Sequence, residues 1–66
     1  MNTKMLESKM ALYGDTGGDL AQALGISRTA LSYKKNGKAK FMQNEILTIK
    51  ARYKLTAEEL DAIFFN

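Results

Sequence analysis

Apolar residues in this 66-residue chain recur at intervals of three and four, and the rhythm is interrupted and restarted several times. Leu6, Met10 and Tyr13 keep it over a first stretch, with Met5 and Leu12 widening the stripe, so a helix is expected from about Thr3 to Tyr13. Asn2 or Thr3 can cap its start, and Gly14 suits the residue just past its end. A second helix opens on Thr16-Gly17-Gly18-Asp19, where a threonine followed three residues later by a carboxylate resembles a capping box. Leu20, Ala21 and Leu24 supply its inner face, and Gly25 ends it. Ser27 caps a third helix over about Arg28–Lys35, with Ala30, Leu31 and the aliphatic stem of Lys34 turned inward; Asn36-Gly37 terminates it.

A fourth helix is expected over Gln43–Tyr53 on the stripe Ile46, Ile49 and Tyr53, joined by Leu47 and Met42. Its cap is irregular, because Met42 stands three residues before Glu45 where a Ser or Thr would complete a capping box. The fifth opens on the capping box Thr56-Ala57-Glu58-Glu59 and carries Leu60, Ile63 and Phe64 on one side. No alternation of strand period competes with these helices, and no internal repeat is present. The expectation is a single all-α domain over residues 1–66.

Composition narrows the chemistry. There is no cysteine and no histidine, which removes disulfides, thiolate metal sites, the usual zinc ligand and the usual general base. The remaining carboxylates and lysines show no telling spacing, so neither catalysis nor a cofactor is expected, nor a small-molecule ligand. The apolar fraction, 45%, is too high for a disordered tail, and no run approaches the roughly 20 apolar residues of a membrane span. Glu7 and Lys9 interrupt the apolar positions near the start, so no secretion signal is read and a cytoplasmic location is expected.

The net charge of +3 is unevenly spread. Residues 1–33 balance to zero, the tail from Leu55 carries −3, and Lys34, Lys35, Lys38, Lys40, Lys50, Arg52 and Lys54 against Glu45 give the middle segment +6. A positive stretch of this size suits a phosphate backbone, or is a solvated lysine face.

Residues 20–37 carry a more specific signal. Two helices joined by a short elbow need a small residue where they approach, and Ala21 supplies it. They need a residue tolerant of positive φ at the turn, and Gly25 supplies that. Leu20, Leu24, Ile26 and Leu31 stand as apolar anchors on either side. The pattern Leu-Ala-x-x-Leu-Gly-Ile-Ser-x-x-x-Leu-Ser resembles the helix-turn-helix of the Xre family of phage repressor and Cro-like regulators. The similarity extends through Gly37-Lys38-Ala39-Lys40-Phe41 and Glu45-Ile46-Leu47-x-Ile49 to Leu55-Thr56-x-Glu58-Glu59-Leu60-x-x-Ile63-Phe64. It implies a compact five-helix, lambda-repressor-like domain that binds double-stranded operator DNA, commonly as a homodimer on a palindromic site.

Within that resemblance the outward side of the third helix, Arg28, Thr29, Ser32 and Tyr33, would read bases. Arg28 is suited to guanine by its planar fork, unless it pairs with Asp15 or Asp19; Tyr33 reaches DNA unless it is partly core. Lys35, Asn36, Lys38 and Lys40 would follow the phosphates, while Lys50, Arg52 and Lys54 are read as solvating the fourth helix. Family members usually start the second helix with a polar residue, often Gln; here that position is Gly17, so contact there would come from main-chain N–H groups or from Thr16. The pair Gly17-Gly18 weakens a first turn by roughly 1 kcal/mol per residue relative to alanine, which implies a close approach to another surface. Phe64 and Phe65 could be core, a dimer seam or a partner-binding patch, core being favoured for Phe64. The competing reading is an antirepressor-type or antitoxin-like module whose main partner is a protein.

Overall fold

The computed structural model describes residues 1–65. They form five helices: α1 (Thr3–Leu12), α2 (Gly17–Leu24), α3 (Arg28–Lys35), α4 (Gln43–Arg52) and α5 (Ala57–Phe64). The all-α, five-helix architecture is the one expected, and the helix starts follow from side-chain caps. Thr16 Oγ1 accepts from the Asp19 N–H while the Asp19 carboxylate accepts from the Thr16 N–H, a reciprocal box repeated by Thr56 and Glu59. Ser27 caps α3 through the Ala30 N–H. Asn2 caps α1 through the Met5 N–H, leaving the Thr3 hydroxyl to donate to the Lys35 carbonyl at 2.8 Å and so tie α1 to the end of α3.

The α2–α3 elbow has the geometry its sequence demands. Gly25 sits at φ 72°, a left-handed conformation that a Cβ would strain, and the Ile26 N–H returns to the Ala21 carbonyl at 3.0 Å. Leu20 and Ala21 are buried on one side of the turn and Leu31 on the other, with Leu24 and Ile26 packed against them. α2 packs on α3 and α4, and α1 on α5. Leu6, Met10, Ile49, Tyr53, Leu55 and Ile63 complete the core. The turn from α4 to α5 places Lys54 at φ 51°, the one non-glycine residue of positive φ among those described.

Several expectations are corrected at the edges of the stripes. α1 ends at Leu12, with Tyr13 as its C-cap, and α4 ends at Arg52 with Tyr53 as its C-cap. Leu12 is 74% exposed, and Met42 and Leu47 are likewise on the surface. Each lies beyond the arc that the neighbouring helices cover. Tyr13 is partly exposed and meets Tyr53 edge-on at 5.4 Å, so it closes the core from outside instead of filling it.

Candidate nucleic-acid interface

α3 is held from one side and bare on the other. Leu31 is buried, and Ala30, Lys34 and Lys35 are half-buried. Arg28, Thr29, Ser32 and Tyr33 are all exposed, Tyr33 at 50%, and Asn36 extends the same row one turn further. The division of α3 inferred from its apolar spacing is the one observed. Tyr33 is therefore outside the core, with the Lys38 ammonium 5.6 Å from its ring centroid. Asn36 Nδ2 lies 3.4 Å from Ser32 Oγ, a long contact that links the two polar residues on this face.

The buried side of α3 is fastened by an ion pair that sequence reasoning missed. Lys34 Nζ donates to both Glu45 oxygens, at 2.6 and 2.8 Å, and Glu45 also accepts from the Met42 N–H at 2.7 Å. Glu45 thus starts α4 in place of the absent Ser or Thr, since the thioether of Met42 caps nothing. Burial alone would raise the Glu45 carboxyl, but the Lys34 and Met42 hydrogen bonds outweigh it and hold the group below the usual range. A carboxylate three residues into a helix with no capping side chain was the available signal; its reach to Lys34 was not visible locally.

A second hub fixes α4. Asp15 accepts from Arg52 Nε at 2.6 Å, from Arg52 Nη2 at 2.9 Å and from the Tyr53 hydroxyl at 2.7 Å. The Arg52 hydrogen bonds, then that of Tyr53, hold the Asp15 carboxyl below its ordinary value. Burial, reinforced by Asp15, pushes the Tyr53 phenol well above its own.

These pairs sort the cations. Lys9 is matched by Glu59 at 2.5 Å, Lys34 by Glu45, Lys35 by Glu7 at 3.2 Å and Arg52 by Asp15. Lys35, expected on the phosphates, is thus turned toward α1. The ion pairs among the described residues do not include Arg28, Lys38 or Lys40, so the positive charge left unmatched near α3 sits at its start and just beyond its end. Neither Asp15 nor Asp19 takes Arg28: the first is engaged by Arg52 and Tyr53, the second by its cap. The Arg28 guanidinium lies instead over Gly18.

At the start of α2, Thr16 Oγ1 is occupied as an acceptor by the cap. Gly17 and Gly18 are at the first two helical positions, whose N–H groups have no intrahelical partner. At the opposite end of the chain Phe64 is half-buried, edge-on to Phe41 at 5.3 Å, whereas Phe65 is 67% exposed. Phe65 borders an open cavity of about 380 Å³ that Met1, Phe41, Ile46 and Phe64 also line. Comparison with family models, curated proteins and solved structures finds no match for the chain.

Proposed function

We propose that the chain is a sequence-specific DNA-binding transcriptional regulator of the Cro and repressor kind, acting in the cytoplasm by inserting α3 into the major groove of operator DNA. The observation that carries the reading is the polar face of α3, with Arg28, Thr29, Ser32 and Tyr33 exposed together on a helix whose other side is fastened by Leu31 and the Lys34–Glu45 pair. A rigid scaffold that presents four hydrogen-bonding side chains in one row is what base-edge reading needs. Arg28 reads or flanks a guanine, Thr29 and Ser32 contact base edges, and Tyr33 packs on sugar or a thymine methyl. Lys38, Lys40 and Asn36, with the main-chain N–H of Gly17 and the hydroxyl of Thr16, hold phosphates, and Lys35 adds its charge from the α1 side. Two copies bind half-sites about 34 Å apart, meeting through the exposed Phe65 with Phe64 behind it.

Selection of bound sequences from a random DNA pool, repeated over a salt series, tests the proposal. A palindromic consensus whose affinity falls with salt is the expected result; no sequence-selective binding at moderate salt refutes it. A protein-binding module of antirepressor or antitoxin type is the second reading, favoured by the exposed Met42, Leu47 and Phe65. It predicts no selected DNA sequence and loss of a protein complex when Phe65 is replaced by Ser.

A further inference from the structure

Two glycines in the first turn of one helix call for a reason, and the two differ in what surrounds them. A Cβ placed on Gly17 meets nothing within 4 Å. A Cβ placed on Gly18 would stand 2.6 Å from Arg28 Nη2, 2.8 Å from Nε and 3.0 Å from Cζ. All three atoms belong to one guanidinium, which therefore rests on the bare backbone of Gly18 where any side chain would displace it. Gly18 has ordinary helical backbone, so its lack of a side chain answers no torsional demand. No carboxylate holds Arg28 among the described residues, so the seat is what defines its direction.

We infer that Gly18 is a positioning residue for Arg28: its bare backbone seats the guanidinium between the first turns of α2 and α3, and so sets the reach of the first residue of α3 before DNA arrives. The inference rests on the DNA-binding reading. An arginine on an exposed helix start samples many rotamers, and ordering it on binding opposes association. A seat that removes most of those rotamers beforehand lowers that opposition, and it also restricts which base or phosphate the fork meets. The glycine thus weakens α2 locally and serves the side chain across the elbow.

The test is a double-mutant cycle of Gly18→Ala with Arg28→Ala, read in two ways. Gly18→Ala raises helix propensity and displaces only the end of a flexible side chain, so the variant folds. In DNA binding to the selected consensus, Gly18→Ala should weaken affinity roughly three- to tenfold when Arg28 is present, from the freedom returned to one long side chain. It should also blur the consensus at one position per half-site. In the Arg28→Ala background it should change affinity less than twofold. Equal effects in both backgrounds, with wild-type binding intact, overturn the seat and leave the DNA-binding reading standing.

Thermal unfolding gives the second readout and needs no DNA. Gly18→Ala should raise Tm more in the Arg28→Ala background than with Arg28 present, whereas Gly17→Ala should raise it equally in both. Equal increments for Gly18 overturn the contact itself. If the wild type selects no DNA while the thermal coupling persists, the contact is real but its role in recognition is refuted together with the DNA-binding reading.

Discussion

Glu45→Gln is the most informative single change to the scaffold of α3. Gln keeps the shape of the side chain and one oxygen for the Met42 N–H, but it leaves the Lys34 ammonium without a counter-charge. The two side chains are 14% and 6% exposed, so the pair is mostly removed from water. Breaking one partner of a fully buried pair destabilises by about 3–5 kcal/mol. Here the residual exposure of Lys34 lets water reach Nζ, which lowers the expected loss to about 2 kcal/mol, within the range of charge-assisted hydrogen bonds. Against a total stability of roughly 3–10 kcal/mol for a chain this size, that is a large fraction. It corresponds to a fall in Tm of roughly 8–16 °C. Lys34→Met should lose a similar amount by stranding the Glu45 charge. The two changes together should lose about 2 kcal/mol in total instead of 4, because neither leaves a lone charge when the other is present. Urea unfolding followed by far-UV circular dichroism at pH 7, with and without 1 M salt, measures all four proteins. Single variants within 0.5 kcal/mol of wild type, or strictly additive losses, would show that the pair does not hold α3.

Acid should unfold the domain through the carboxyls that folding keeps ionised. Arg52 holds Asp15 low, the Thr16 N–H holds Asp19 low, Lys9 holds Glu59 low, and for Glu45 the Lys34 and Met42 hydrogen bonds overcome burial. A lowered folded pKa gives stability that is present above the unfolded value, about 4, and lost as pH falls through the folded one. The urea midpoint should therefore be flat from pH 7 to about 4.5 and decline below it; a midpoint constant down to pH 2 contradicts the assignment. At the other limit, the raised Tyr53 phenol stabilises below its unfolded value of about 10 and loses that contribution as pH rises further. Tyr53→Phe should lose about 1 kcal/mol at pH 7 and show a shallower alkaline decline than wild type. In DNA titrations, Lys38→Ala and Lys40→Ala should each lower the slope of log affinity against log salt by about one, equally for matched and mismatched sequences. An unchanged slope removes that lysine from the phosphate contacts.

Much of the frame was readable because its determinants are local. Thr16 with Asp19, Thr56 with Glu59, Ser27 and Gly25 each specify a helix end within four residues of themselves, and the helices begin and end there. The outward face of α3 was readable for the same reason: burying Leu31 leaves only one orientation for Arg28, Thr29, Ser32 and Tyr33. The failures are all tertiary. Leu12, Met42 and Leu47 match the helical rhythm, yet five short helices lack the surface to cover every apolar residue at the margin of a stripe. Asp15 has the composition of a turn residue, and nothing near it announces partners at positions 52 and 53. Glu45 looks like half of a cap, and only the crossing of α3 and α4 brings Lys34 to it.

Gly18 lies between these two classes. Its penalty in a helix is local and therefore visible in the sequence, whereas the side chain that fills the space of its missing Cβ stands ten residues away across the elbow. A local rule broken with no local compensation implies a neighbour that the one-dimensional pattern cannot name. The neighbour is Arg28, the first residue on the exposed face of α3. The two features are thus one contact: the backbone that lacks a side chain leaves the room that the Arg28 guanidinium occupies. Under the proposed DNA-binding reading, base contact by Arg28 depends on a residue in α2 that contributes no side-chain atom of its own.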